Sequence, residues 1–502
     1  MERTVERWGC FEASARGKTE GNPFVDAEIF GEFTGEHEHV RVGGFYDGEG
    51  IYRVRFMPLF EGRYDYRLYG SALDEPVTGA FLATAPSENN HGPARISGFH
   101  FEYEDGTRLI PLGTTCYAWT HQTEELYQQT LRTLATAPFR KIRFCIFPKH
   151  YLYNLHEPAT YPYEGTPCAM DQFDPETLRG GIHVLAGNRW DFTRFRPDHF
   201  RRIDRAIQDL QRLGIEADLI VMHPYDRWGF SCMSKEQDDL YWRYVIARFA
   251  AYRNVWWSLA NEYDLMTTKT TADWERYASL LLEGDPYHHP RSIHNCREFY
   301  DHTRPWITHC SLQRQDYFKC AELTDQYRTR FGKPVVLDEL AYEGNLDQGW
   351  GNITAQEMVR RCWEGAVRGG YPGHGETYDR PDGVLWWSHG GALHGESPAR
   401  IAFLMEILRD APGRGLCAKE MCWDCTVGVA EGAQGYYLYY FDDHQPAFRS
   451  FDFGPDARCA VDVIDTWNMT IDARGELPGK FRLELPGRPY MAVRIRVSQP
   501  DA

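Results

Sequence analysis

Along the N-terminal segment, apolar and charged positions alternate with a period of two. Tyr52, Val54 and Phe56 interleave with Arg53 and Arg55, and Tyr64, Tyr66 and Leu68 interleave with Arg63, Asp65 and Arg67. Successive side chains of a strand point to opposite faces, so this pattern predicts strands with one buried face. Gly48, Gly50, Gly62 and Gly70 punctuate the runs where tight turns need a positive φ. Short strands broken by such turns predict a β-sandwich over residues 1–93. The same alternation returns near the C-terminus. Phe481, Leu483 and Leu485 interleave with Arg482 and Glu484, and Val493, Ile495 and Val497 with Arg494 and Arg496. This predicts a second β-sandwich over residues 413–502.

Between them, over residues 94–412, apolar strand-like runs alternate with segments of helical period, the pattern of parallel βαβ units. Eight strands are predicted: 109–115, 142–148, 217–223, 255–261, 292–296, 307–312, 335–339 and 370–376. Phe200, Ile203, Ile207 and Leu210 follow helical spacing after Pro197 and stop at Gly214, while Ser234/Gln237 and Thr354/Glu357 have the spacing of capping boxes. Eight such units predict an α/β fold, a (β/α)₈ TIM barrel flanked by the two β-domains. The longest insertion, from about Lys149 to Asp191, follows the second strand and is rich in Tyr, Pro and Gly.

Composition narrows the function. The chain has 502 residues, 42% hydrophobic and 25% charged, which is a globular balance on a chain too long for one core. The 55 Lys and Arg against 72 Asp and Glu leave a formal charge of -17, and no local Lys/Arg run offsets it. Such a field repels phosphate backbones and anionic membranes, so neither nucleic acid nor a membrane is an expected partner. The first eight residues lack the apolar core of a secretory signal and no apolar stretch reaches 18 residues, which predicts a cytoplasmic protein. Thirteen scattered Cys fit reduced thiols, and Cys422-Trp423-Asp424-Cys425 reads as ordinary buried thiols. No glycine-rich nucleotide motif and no Gly-x-Ser-x-Gly occurs. No cofactor is expected.

The fourth predicted strand runs from Val255 through Trp256 and Trp257 into Asn261 and Glu262, and the seventh runs through Val335, Val336 and Leu337 into Asp338 and Glu339. Catalytic groups of a barrel sit at the C-terminal ends of its strands, and strands four and seven face each other across the mouth. Two carboxyls so placed meet the need of glycosidic cleavage for one acid and one nucleophile or base. Glu343 and Glu376 compete with this pair. Glu343 lies beyond its strand, which favours a supporting role, and Glu376 ends the eighth strand beside His374, where both could touch sugar.

His150, His223, His294 and His309 fall at or near the predicted ends of strands two, three, five and six. A metal site is the sharp alternative for them, but the first strand reads Gly113-Thr114-Thr115-Cys116 and lacks the His-x-His of barrel metallohydrolases. No metal is therefore expected, and His150, His223 and His309 are expected to bind sugar hydroxyls. In each of the pairs Trp256/Trp257 and Trp386/Trp387, period two sends one ring inward and one outward. Trp119 and Trp387 are the expected stacking platforms for a sugar face.

These residues resemble a known pattern. Asn261-Glu262 and Glu339 are similar to the strand-four and strand-seven acids of the clan A glycoside hydrolases, retaining enzymes on (β/α)₈ barrels. His223-Pro224-Tyr225-Asp226, the run Trp256 to Asp264, Lys333 to Glu339 with Tyr342-Glu343-Gly344-Asn345, Gly373-His374-Gly375-Glu376-Thr377 and Leu385 to Gly391 resemble an apiosidase-like branch of that clan, with a β-sandwich on either side of the barrel. The resemblance spans nearly the whole chain. It implies Glu262 as acid/base, Glu339 as nucleophile, and Asn261 as a hydrogen-bond partner of the sugar 2-hydroxyl. Small glycosides or oligosaccharides are then the expected substrates. Two other readings stand beside it: a metal-dependent barrel hydrolase using the histidines, and a non-catalytic carbohydrate-binding protein. The flanking β-domains could bind sugar, pack on the barrel or build a homo-oligomer interface.

Overall fold

The computed structural model describes residues 3–169, 182, 184–314, 319 and 321–498. Its centre is a sheet of eight parallel strands, Gly113–Thr115, Lys141–Cys145, Glu216–Met222, Val255–Ala260, Arg291–Ser292, Cys310–Gln313, Val335–Glu339 and Tyr371–His374, numbered one to eight here. They pair in the ring order five, four, three, two, one, eight, seven, six. Strands five and six are joined by a single parallel bridge between His294 and Ser311, with the Thr308 amide donating to the Arg291 carbonyl at 2.9 Å. The barrel is therefore nearly closed. Strands two, three, four and seven are buried at every position, as strands covered by side chains inside and helices outside must be.

Helices Glu124–Leu134, Pro197–Arg212, Lys235–Phe249, Thr271–Gly284, Thr324–Phe331, Ala355–Val367 and Ser397–Asp410 follow strands one, two, three, four, six, seven and eight. Local signals set their ends. Pro197 opens its helix where a missing N–H costs nothing, and Gly214 at φ +68 lies just past its end. Ser234 and Gln237 cap each other reciprocally, and the Thr354 hydroxyl accepts from the Glu357 amide at 3.2 Å.

Three departures from the predicted layout have physical causes. Residues 293–309 pass from strand five to strand six without a helix, because Asp264 takes the amides of Cys296, Arg297 and Glu298 at 2.6 to 2.9 Å and Pro305 follows. Predicted strand 109–115 is split. Arg108–Leu109 joins Ala94–Ser97 and His100–Tyr103 in a small antiparallel sheet, and Gly113–Thr115 alone enters the barrel. Strand eight stops at His374, and Glu376–Thr377 pairs instead with Glu343–Gly344 outside the ring.

The N-terminal domain has a five-stranded and a three-stranded sheet, and their aromatic faces meet. Phe11 stacks on Phe81 at 3.9 Å and Phe33 on Phe56 at 4.3 Å. The C-terminal domain has a six-stranded sheet, including Met491–Ser498, and a two-stranded ribbon containing Lys480–Glu484. Both pack on the barrel. A buried ion network of Asp47 and Arg55 with Asp204 and Arg248 ties the first domain to helices Pro197–Arg212 and Lys235–Phe249. Arg328 and Glu431, 2.9 Å apart, tie the barrel to the last domain. No helix among the described residues is long and apolar enough to cross a membrane.

Candidate active site

Within the barrel, side chains of alternate positions form a charged interior. The Lys141 ammonium bridges Asp218 and Asp338 at 2.6 and 2.7 Å, with all three buried. One layer nearer the C-terminal ends, Arg143 donates to Asn261 Oδ1 at 3.0 Å and to Glu339 Oε1 at 3.3 Å. Burying these charges is tolerable because each has a partner within the same network.

Glu339 ends strand seven and Glu262 follows strand four, and both are buried in the mouth. Their surroundings differ. Glu339 accepts from the Tyr117 hydroxyl and from Arg143, and His294 Nε2 approaches its Oε1 at 3.2 Å. Burial works against ionisation of Glu339, but the His294 hydrogen bond and charge, Arg143 and the Tyr117 hydroxyl outweigh it and hold the carboxyl at about 2. Glu262 accepts from the Tyr225 hydroxyl and from Gln313 Nε2 at 2.7 Å. Burial first, and then the charge of Glu339, pushes the Glu262 carboxyl above its ordinary value. The two groups are linked. The Tyr117 hydroxyl that donates to Glu339 lies 3.2 Å from Asn261 Oδ1, and Asn261 Nδ2 donates to Glu262 Oε2 at 3.4 Å.

Glu262 also has left-handed backbone, φ +49 and ψ 56, a conformation costly for a residue with a side chain. It stands where the chain turns from strand four into a short 3₁₀ segment, Tyr263–Leu265. The Tyr263 amide donates to the His294 carbonyl at 2.9 Å and the Leu265 amide to Glu262's own carbonyl, which holds the turn in place.

Aromatic rings close the mouth. Trp387 meets Tyr117 edge to face at 5.4 Å and lies near Tyr151, Tyr342 and Trp350. In their midst the Lys149 ammonium sits 3.3 Å from the ring centre of Tyr117, 4.2 Å from Tyr225 and 4.6 Å from Trp387. Burial lowers its pKa to about 8. His150 and His223 lie in the same region. His150 packs edge to face on Trp228 and donates its amide to the Tyr225 carbonyl, while His223 Nε2 is 3.2 Å from the Phe147 carbonyl. Burial, aided by Arg227 for His150 and by Lys149 for His223, brings each to about 3.

Four sequence-predicted contacts are displaced from the mouth. Trp119 is fully buried between strands and helices, stacked on Tyr127 at 4.9 Å and edge-on to Phe144. His309 precedes strand six rather than ending it, so its ring lies at the opposite end of the barrel against Trp256 and Phe101. His374 points outward from strand eight, bonded to Thr114 at 3.0 Å and stacked on Phe139. Glu376 accepts the His394 and Gly395 amides at 2.6 and 2.7 Å, while Glu343 accepts those of Glu396 and Ser397 at 2.8 and 3.1 Å. These two carboxylates secure the loop that starts helix Ser397–Asp410. The histidines accordingly do not share one face, because His294 reaches Glu339 while His309 lies at the far end.

Of the adjacent tryptophans, Trp256 points into the barrel floor and Trp257 outward to Asp285, as period two requires. Trp386 and Trp387 belong to the helical turn Trp386–His389 rather than a strand, with Trp386 turned outward to Thr114. Cys422 and Cys425 are half-buried rather than buried, with Sγ atoms 2.9 Å apart, and together with Asp424 they form the one cluster among the described residues with metal-ligand spacing. Arg449 already pairs with that Asp424 carboxylate at 2.5 Å.

Arg143, Tyr117, Gln313 and Lys149 had no assigned role in the sequence pattern, and Tyr225 entered it only within the run His223 to Asp226. A signal existed for the first: Lys141, Arg143 and Asp218 are charges inside otherwise apolar central strands, and a charge there must meet a partner. Tyr117, Tyr225, Lys149 and Gln313 lie at or beyond strand ends, where only loop geometry brings them together.

Comparison with known proteins places this arrangement. The sequence model of the apiosidase-like catalytic domain matches residues 97–404, and two domains of unknown function, DUF5060 and DUF5605, match residues 4–70 and 423–496. A crystal structure from Bacteroides vulgatus, provisionally assigned as a glycoside hydrolase, is 36% identical, with a TM-score of 0.89 over 99% of this chain and 100% of that one. A glycoside hydrolase family 5 structure from the same organism shares the fold at 15% identity, with a TM-score of 0.59 over 82% of this chain and 94% of that one. No curated protein sequence matches the chain.

Proposed function

The chain belongs to the apiosidase-like catalytic-domain family and is a glycosidase on a TIM barrel with β-domains at both ends, and from this premise we propose that it is a retaining glycoside hydrolase acting on small glycosides or oligosaccharides by double displacement. The observation that carries the reading is the opposed setting of two linked carboxyls. Glu339 is held ionised by His294, Arg143 and Tyr117, while burial and the charge of Glu339 favour the protonated form of Glu262. Paired carboxyls whose surroundings push their pKa values apart divide the roles of nucleophile and acid.

In the first step Glu339 Oε attacks the anomeric carbon, the glycosidic C–O bond breaks, and the Glu262 proton passes to the departing oxygen. In the second step Glu262, now a carboxylate, takes a proton from water, whose oxygen displaces Glu339 from the anomeric carbon and frees the sugar. Arg143 and His294 are positioning residues that keep Glu339 charged. Asn261 Nδ2, next to Glu262, is set to meet the sugar 2-hydroxyl, and Trp387 offers a face for stacking. Lys149, His150 and His223 surround the same space with hydrogen-bond donors. On this reading the catalytic barrel spans residues 94–412, and the domains before and after it are supports.

A panel of nitrophenyl pyranosides and furanosides of both anomers tests the proposal, using the wild type, Glu262→Ala and Glu339→Ala. The expected result is a cleaved glycoside whose hydrolysis vanishes in the Glu339 variant and returns with azide as a glycosyl azide of inverted configuration. Cleavage that survives both substitutions would refute the assignment.

A further inference from the structure

The opposite end of the barrel carries a feature that glycoside cleavage does not use. Beneath strands one to four lies a cavity of about 540 Å³, within the range of small-molecule sites. Five arginines line it: Arg212, which pairs with Asp209, and the four unpaired Arg108, Arg140, Arg253 and Arg409. These four come from the segments just before strands one, two and four and from the end of helix Ser397–Asp410. Sequence spacing hid the group, since no two of them are neighbours in the chain. In a protein of formal charge -17, four arginines without a salt bridge line one cavity.

None of the four forms an ion pair among the described residues. Arg108 donates only to the Ala411 carbonyl at 2.8 Å, and its buried Nε has no partner. Burial depresses the pKa of Arg108 and Arg253, and burial together with the nearby charge of Arg140 depresses that of Arg409. The one carboxyl lining the cavity, Glu216, is taken by the Tyr103 hydroxyl at 3.1 Å and the Trp256 indole at 2.9 Å, and burial raises it to about 7. It is at best half a counter-charge. A helix C-terminus accounts for a cation at Arg409 but not at the three positions that precede strands. Several other buried arginines are paired, Arg55 and Arg248 with Asp204 and Arg360 with Glu357, while Arg202 and Arg291 stand apart from one another and bond to backbone carbonyls. Glu6 and Glu406 act on Arg253 and Arg409 only at a distance, and guanidinium groups left without a salt-bridging carboxylate suit phosphate or sulfate oxygens, which they can grip in bidentate fashion.

We infer that this cavity binds a small, multiply charged oxyanion, a phosphate or sulfate ester of sugar size, at a site separate from the barrel mouth. The inference does not depend on the hydrolytic mechanism. Isothermal titration of the full chain at low salt with pyrophosphate, glucose 6-phosphate, glucose 6-sulfate and glucose tests it. Pyrophosphate and at least one ester should bind and glucose should not, and the stronger ester names the source of the anion. The exposed pair Arg140→Gln and Arg409→Gln should weaken pyrophosphate binding at least tenfold, and added salt should weaken it in the wild type. Circular dichroism of the variant guards against misfolding, and the single variant Arg253→Lys, which keeps the charge but loses the bidentate fork, should weaken binding less. Absence of pyrophosphate binding, or binding that the double variant leaves unchanged, would overturn the inference.

Discussion

The ends of strands four and seven carry the same side chain and give it opposite chemistry. Around Glu339 the partners are a guanidinium, an imidazole and a phenol, all of which favour a charged carboxylate. Around Glu262 the partners are a phenol and two amides, all neutral, and the negative charge of Glu339 acts on it more strongly than the Lys149 ammonium. The lesson is that identity at a strand end fixes which group is present, whereas its partners fix which proton state it holds. Where those partners come from differs too. Arg143 reaches Glu339 from strand two, which strands one and eight separate from strand seven in the ring, and Tyr225 reaches Glu262 from a loop after strand three.

The sharpest way to break this comparison is to remove each carboxyl. Glu339→Ala should lower kcat by at least about 10⁴-fold on every substrate, since the proposed mechanism assigns the glycosyl-enzyme bond to Glu339. Glu262→Ala should cost about 10² to 10⁴-fold on a poorly activated leaving group, and far less on a dinitrophenyl glycoside that needs no protonation. Steady-state rates on both leaving-group types check the pair. Equal losses for both variants on both substrates would erase the distinction between the two sites.

The pH profile sharpens it. On the proposed mechanism activity needs Glu339 ionised and Glu262 protonated, so kcat/KM should fall as pH drops toward about 2 and again as pH rises past the raised value of Glu262. His294→Ala removes a group that holds Glu339 down, so the acid limb should move up by roughly one pH unit. Tyr225→Phe removes a hydrogen bond that lowers Glu262, so the alkaline limb should move up by as much as about one unit. A shift of the wrong limb in either variant would reverse the assignment of roles.

The smallest effect is on stability. A carboxyl raised in the folded state binds its proton more tightly there, so its contribution declines as pH rises from the ordinary carboxylate range through the raised value. Glu262→Gln should therefore raise Tm at pH 7. A depressed carboxyl contributes above its ordinary value and loses that contribution as pH falls toward about 2. Glu339→Gln should lower stability at pH 7 by on the order of 1–3 kcal/mol, with the difference from wild type shrinking in acid. Thermal unfolding of both variants at pH 7 and pH 3 measures this.

Much of the architecture was legible along the chain. Period-two alternation located strands of both outer domains, and apolar runs located all eight barrel strands, with errors at their ends. Those errors mattered. His309 and Trp119 were misplaced because a shift of a few residues moves a side chain from the mouth to the floor or to the helix layer. Glu376 looked like a strand end because it closes the predicted segment 370–376, yet a new pairing with Glu343 carries it out of the ring.

What the sequence by itself determined is local: which segments alternate, where helices start and stop, and that an acid follows strand four and another ends strand seven. Each depends on forces acting within a few residues. Only the tertiary structure decided that Arg143, His294 and Tyr117 meet at one carboxyl and Tyr225 and Gln313 at the other, or that four distant arginines line one cavity. The electrostatic state of a buried group is set by neighbours in space, and the ring of strands brings together residues that are far apart in the chain.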